Sequence, residues 1–313
     1  YDPSTSATID YTVHQVHVAV GLACSAETTA DCTGTPWRLG DADQLQLEVT
    51  IPDVDGREGT VVIARDAAGT DVIAGPVAVT DGATTITVPA IDIHAGTHDL
   101  YAVYASDDDE VVGVSDARSI AVLGTPTVTM TRTAVSGAYG DPATGAMTVT
   151  VTGSGPVPTG TVTVLGRTAT LDATGTAVLD LSLLAVSPSP VDLVAEYAGD
   201  SVYAAEISSP VTYRTTKAGT AVEIVSTTPA SPAFGEAVTV RIAVTAESPS
   251  TADPSGTVTV AVDGGTGFPQ SWYAQTGNRD GVAEFEVVIP AGAIGGGAHQ
   301  LVATFTGDGN VEN

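Results

Sequence analysis

Apolar residues alternate with polar ones along most of this chain, and that period of two decides what it can fold into. The stretch AMTVTVT (146–152) puts Met147, Val149 and Val151 on one side and threonines on the other. AVTVRIAVT (237–245) repeats the pattern with Val238, Val240, Ile242 and Val244, and QLQLEVTI (44–51) with Leu45, Leu47 and Val49. Successive side chains of a strand point to opposite faces, so each stretch reads as a strand with one buried and one wet face. Nothing comparable occurs at helical spacing, and IPAGAIGGGAHQ (289–300) has too much glycine for more than a turn of helix. The fold class that follows is all-β.

The strands recur in a fixed order. GTVVIA (59–64), GTVTVL (160–165) and GTVTVA (256–261) are one element, and GATTITV (82–88), GTAVLDL (175–181) and GVAEFEV (281–287) the next. Then come Leu100-x-Ala102-x-Tyr104, Leu193-x-Ala195-x-Tyr197 and Leu301-x-Ala303-x-Phe305, each followed by a turn that carries Asp107, Asp200 or Asp308. A period of about 100 residues with about seven short strands is the size of an immunoglobulin-like sandwich. The expected organisation is three tandem Ig-like β-sandwiches over 14–124, 125–217 and 218–313, preceded by an extra strand in 1–13. The links LGTPT (123–127) and TTKAGT (215–220) are short, which favours an extended rod.

The run GTVTV, GTAVLDL, LVAEYAGDSVYAA (160–205) resembles the bacterial Ig-like repeat domains of large secreted and cell-surface proteins. The resemblance covers most of the chain and is closest over 125–313. Residues 14–124 depart from it, with Ser106-Asp107 in place of Gly-Asp and an insertion that carries two cysteines. The resemblance implies an extracellular spacer or adhesive stalk that works mechanically, with no enzyme activity. A filament subunit and a polysaccharide-binding accessory module of a secreted enzyme are the alternatives.

Lys and Arg number 10 against 37 Asp and Glu, a net charge of −27. Such a surface repels nucleic acid and anionic headgroups, so neither is expected as a partner. No stretch has the apolar length to cross a bilayer as a helix. Expected partners are neighbouring copies or adjoining repeats, head to tail, with a host or surface receptor or glycan at the end of the stalk.

Candidate chemistry is sparse. Cys24 and Cys32 fall in one loop, CSAETTADC, with no cluster of further ligands for zinc, and read as a disulfide in an oxidising, extracellular setting. SDDDE (106–110) is the densest charge run; a solvated turn accounts for it, and calcium, if bound, would take Asp107 and Asp109. His94 and His98 flank a glycine turn, and Trp272 with Tyr273 offers a small sugar contact beside the plainer role of packing under a loop. Lys217 is the single lysine and lies at a domain boundary, which argues against an intramolecular isopeptide staple.

Two loose ends remain. After its Gly-Asp turn the last repeat has only GNVEN, where the second continues SVYAAEISSPVTYRTT (201–216). Residues 1–13, YDPSTSATIDYTV, have no unit of their own yet read like a final strand, with Ser4, Ser6, Ala7, Ile9, Tyr11 and Val13 as its characteristic positions. The expectation is that this strand completes the open last unit of a neighbour, either as the next repeat of a longer chain or as a separate subunit by strand complementation, along an acceptor edge formed by Phe305, Gly307, Asp308 and Val311.

Overall fold

The computed structural model describes residues 4–9, 15–24, 37–38, 45–52, 58–89, 93–107, 111–271, 274–275 and 281–313. The protein is nearly all β: among the described residues the only helix is the single turn Pro142–Gly145. Asp141 caps that turn by accepting from the N–H groups of Ala143 and Thr144. The chain forms two compact units. One holds residues 1–127 with the loops 152–160 and 198–206, the other 128–151, 161–197 and 207–313.

In the first unit the strand Leu45–Thr50 buries Leu45, Leu47 and Val49 on one face, as its alternation demands. It lies antiparallel between Gly21–Cys24 and Ala83–Val88. The facing sheet is built on Gly59–Ala64, between Val72–Val79 and the long strand Gly96–Ser106. The other edge of Gly96–Ser106 takes Val111–Val114 and Arg118–Leu123. Leu47, Val61, Ile63, Ile86, Leu100 and Tyr104 close the core between the two sheets. Each such fully buried aliphatic side chain contributes roughly 1.5–3 kcal/mol relative to exposure.

The loops 152–160 and 198–206 meet around Tyr203, which is buried. Its hydroxyl donates to the Pro156 carbonyl and accepts from the Gly155 N–H, both at 2.8 Å. Its backbone forms a parallel bridge with Gly124, closed by bonds from Gly124 N to the Val202 carbonyl and from Ala204 N to the Gly124 carbonyl. Gly153 is held to glycine by this packing, since a Cβ there would lie 2.1 Å from the Tyr203 ring.

Among the described residues the second unit is built on five small sheets. Met147, Val149 and Val151 of Ala146–Thr152 are buried, and that strand lies between Thr127–Arg132 and Thr176–Asp180. Beside it, Ser136–Ala138, Val211–Thr216 and Val191–Leu193 form one sheet, and Arg167–Thr170, Thr161–Val164, Glu196–Tyr197 and Glu206–Ile207 another. Further along, Val238–Ala246 runs antiparallel between Thr220–Thr228 and Val282–Ile289, and Ala274–Gln275 extends that sheet. The sheet opposite is Phe268–Ser271, Gly256–Val262 and Leu301–Gly307. Val240, Ile242, Val258, Val260, Phe285 and Phe305 are buried between the two, the phenylalanine rings 6.1 Å apart.

Candidate assembly edge

Leu301–Gly307 pairs antiparallel with Gly256–Val262, with Val262 opposite Leu301, Val260 opposite Ala303 and Val258 opposite Phe305. Among the described residues its other edge meets no strand. The matching strands of the two earlier repeats are differently placed. Gly96–Ser106 is bonded on both edges, and Val191–Leu193 takes Val211–Thr216 antiparallel. Burial follows this difference: Leu100, Ala102, Leu193 and Ala195 are all 0% exposed, whereas Leu301 and Ala303 are only half-buried. Val222 and Ile224 are half-buried too, while Val128 and Met130, at the matching places in Thr127–Arg132, are buried. Among the described residues nothing pairs with the apolar stripe and the row of backbone donors and acceptors along one side of this sandwich.

Two features of the earlier repeats show what normally covers it. The buried Ser208 donates its N–H to the Ala195 carbonyl at 2.9 Å, and its hydroxyl accepts from the Ala195 N–H at 3.0 Å. Ser115 makes the same pair of bonds with Ala102, at 3.0 and 2.9 Å. Ala303 holds the corresponding place in the last repeat. A short strand also pairs parallel with the closing strand in each case: Trp37–Arg38 with Val122 and Leu123, and Ser136–Ala138 with 214–216. The second of these leads into Tyr139-Gly140-Asp141. The last repeat has Phe234-Gly235-Glu236 in that position, with no strand between Thr220–Thr228 and Val238–Ala246, and all of residues 231–237 are exposed, Phe234 to 82%. A cleft of about 300 Å³ lies there, lined by Phe234, Val238, Ile294, Gly297 and His299 among others.

His299 borders that cleft. Its Nδ1 lies 2.7 Å from Asp263 Oδ2, and Asp263 Oδ1 accepts from the Gln300 N–H at 2.8 Å. The hydrogen bond to Asp263 raises the His299 pKa above the ordinary histidine value. The Gln300 N–H, followed by His299, holds the Asp263 carboxyl below the usual range.

The Gly-Asp turn proves to be a structural tie. Asp308 donates its N–H to the Ser255 carbonyl, and its carboxylate accepts from the Ser255 hydroxyl and from the Asn310 N–H. Asp107 makes the matching backbone bond to the Glu58 carbonyl at 3.1 Å, with its side chain exposed. Of the other positions expected on the acceptor edge, Phe305 lies in the core and Gly307 closes against Val311. Val311 is buried and bridges to Ala218, with Lys217 Nζ donating to the carbonyls of Asp308 and Val311. These residues fix the end of the open edge. The uncovered stripe is Leu301 and Ala303, which sequence reasoning passed over because the same letters are fully buried in the earlier repeats.

The remaining sequence candidates are scattered. Ser4, Ser6, Ala7 and Ile9 are exposed, Ile9 to 85%, and residues 4–9 form no strand. Tyr11, Val13, Cys32, Asp109, Trp272 and Tyr273 lie outside the described residues. Cys24 ends its strand and packs against the first core. His98 Nε2 donates to the His94 carbonyl at 2.7 Å. Among the described residues no three His, Cys, Asp or Glu side chains converge as a metal site, and no helix is long and apolar enough to cross a membrane.

Residues 225–313 match the family described as bacterial Ig-like domain (group 3). No curated protein matches the chain. Among solved structures it is similar to the Escherichia coli adhesin FdeC, at 12% identity over 97% of each chain and a TM-score of 0.32. A 1.5-MDa bacterial ice-binding adhesin matches at 18% identity over 90% of this chain and 89% of that one, TM-score 0.25. The fibronectin(III)-like modules of Clostridium thermocellum CbhA match at 16%, over 62% and 93%, TM-score 0.23. The family match and the recurring strand order therefore identify this all-β chain as one that carries a bacterial Ig-like domain, in residues 225–313.

Proposed function

We propose that the chain is an extracellular spacer segment of a bacterial surface or adhesive protein, with a mechanical role and no catalytic one. The observation that carries this reading is the recurrence of one structural plan. The Leu-x-Ala strand, the turn tied by an aspartate and the sandwich core appear again and again, ending in a region that matches a bacterial Ig-like domain. Repetition of a unit lengthens a protein without adding a new site. The division into sandwiches over 14–124, 125–217 and 218–313 is part of the proposal, as is secretion to the cell surface. So is calcium at Asp107 and Asp109, supported only by the run of carboxylates there; a melting curve that EGTA leaves unchanged removes it. Labelling intact cells of the source bacterium with antibodies against this chain tests the main reading. Signal on unbroken cells, lost on brief protease treatment, is the expected result. Antigen released only by lysis overturns it.

Head-to-tail association through the open edge of Leu301–Gly307 is the second reading that a specific observation favours. A glycan-binding role has Trp272 with Tyr273 as its sequence candidates, and a glycan array with Trp272→Ala as control decides it.

A further inference from the structure

We infer that the uncovered edge of Leu301–Gly307 is a strand-accepting site, and that its occupant is the segment beginning at Ser4 of a second copy of this chain, with Ile9 turned inward. The inference stands on strand geometry and does not rest on the proposed surface role.

That placement comes from the two filled sites within the molecule. In both, a buried serine bonds the backbone of the alanine in Leu-x-Ala, Ser115 with Ala102 and Ser208 with Ala195. Three residues after that serine the closing strand stands opposite the leucine: Arg118 faces Leu100, and Val211 faces Leu193. Five residues after it an inward, buried residue faces the position two before the leucine: Ile120 faces His98, and Tyr213 faces Val191. The N-terminal segment reads Ser4-Thr5-Ser6-Ala7-Thr8-Ile9. Set Ser4 against Ala303, and Ala7 falls opposite Leu301 while Ile9 falls opposite His299. Ile9 then meets a histidine just as Ile120 meets His98. Its side chain turns inward, towards the half-buried stripe.

Setting Ser6 instead of Ser4 on Ala303 puts Ile9 at the third place, opposite Leu301, and Tyr11 at the fifth, as Val211 and Tyr213 follow Ser208, so Ile9 turns inward and Thr8 outward in either setting. The two filled sites also place a parallel partner beyond this point, and residues 232–233, exposed beside Phe234, hold that position. The donor is equally ready. Residues 4–9 are exposed throughout and in no strand, and an 85%-exposed isoleucine gains burial on docking. Strand addition supplies main-chain hydrogen bonds for affinity and inward side chains for register. The donor surface differs from the acceptor surface, so the contact repeats from copy to copy as an open chain.

The test uses the full chain at physiological or higher salt, because two copies at −27 each repel when unscreened. Sedimentation should show association that grows with concentration, and amide exchange over 301–306 should slow about tenfold or more as it does. Ile9→Asp should abolish both effects, whereas Thr8→Asp, on the outward face, should leave them. The synthetic peptide YDPSTSATIDYTV should protect the same amides in the Ile9→Asp chain. A chain that stays monomeric with 301–306 exchanging fast, with or without the peptide, overturns the proposal. So does protection already complete at the lowest concentration, since the edge is then filled from within one chain. Equal loss with Thr8→Asp and Ile9→Asp overturns the inward placement of Ile9.

Discussion

Thr159 gives both its backbone N–H and its hydroxyl to one oxygen of Asp200, each at 2.8 Å, across 41 residues of sequence. The other oxygen accepts from the N–H groups of Val202 and Tyr203, both at 2.7 Å. One carboxylate thus fixes a turn and ties it to a second loop. Hydrogen bonds to an ionised group are the stronger kind. Asp200→Ala is expected to lower unfolding free energy by about 1–3 kcal/mol, read as a shift in the urea midpoint at unchanged slope. Asp308→Ala should act in the same direction, through Ser255 and Asn310.

The same residue predicts an acid response. Burial works against its charge, but the bonds from Thr159, Val202 and Tyr203 outweigh it and hold the pKa below the usual carboxylate value. A depressed folded-state pKa means that the unfolded chain binds the proton more readily. Its contribution to stability is therefore full above the ordinary carboxylate value and fades as pH falls through the lowered one. Stability measured from roughly pH 5 to pH 2 should fall less steeply in Asp200→Asn than in the parent chain. Parallel curves would remove Asp200 from the acid response.

Much of the fold could be read from the sequence, for physical reasons that particular residues show. Met147, Val149 and Val151 announce their strand and its buried face because alternation of side chains is strict in β structure. The triplet Leu-x-Ala marks the same strand three times because both inward positions must be small or aliphatic to fit a sandwich. The site was harder to see. Leu301 and Ala303 look identical in sequence to Leu193 and Ala195, yet they stand half-exposed beside an edge that no strand of the described residues pairs with. Phe234 stands 82% exposed where the matching Tyr139 is half-buried. Ser115 and Ser208 look like turn residues until their bonds to Ala102 and Ala195 are seen, because alternation reports which way a side chain points and not what it bonds.

His299 and Asp263 give a response of opposite sign near neutrality. The histidine pKa is raised mainly by its bond to Asp263, so the charged pair stabilises the fold below the ordinary histidine value and this is lost as pH rises through the raised one. Asp263→Asn should bring the His299 pKa down, as followed by the ring-proton shifts in an NMR titration. It should also lessen the dependence of amide exchange in Leu301–Gly307 on pH. An unchanged histidine titration would show that the bond to Asp263 does not govern it.

Cys24 and Cys32 are expected to form a disulfide in material from an oxidising compartment. Closing so short a loop contributes about 2–3 kcal/mol at most. Non-reducing peptide mapping should recover the two cysteines as one cross-linked pair, and two free thiols by alkylation and mass spectrometry would count against it. Since Cys24 packs against the first core, reduction should loosen Gly21–Cys24 before the rest of its sheet.

The tightest packing prediction concerns Gly153 and Tyr203. A Cβ on Gly153 would stand 2.1 Å from one ring carbon of Tyr203 and 2.6 Å from its hydroxyl oxygen, well inside contact distance. The ring cannot retreat freely, because its hydroxyl is bonded on both sides, to the Gly155 N–H and to the Pro156 carbonyl. Gly153→Ala should therefore cost about 1–3 kcal/mol, the usual range for overpacking. Tyr203→Phe keeps the ring and removes both bonds, for a loss of about 1–2 kcal/mol. The two residues are in direct contact, so their effects should not add. With the ring removed in Tyr203→Ala, the alanine at 153 meets no obstacle, and Gly153→Ala on that background should be close to neutral. A double-mutant cycle by urea unfolding measures the difference. Additive losses would mean that the methyl group is accommodated by movement of the 152–160 loop, and that the ring does not set the need for glycine.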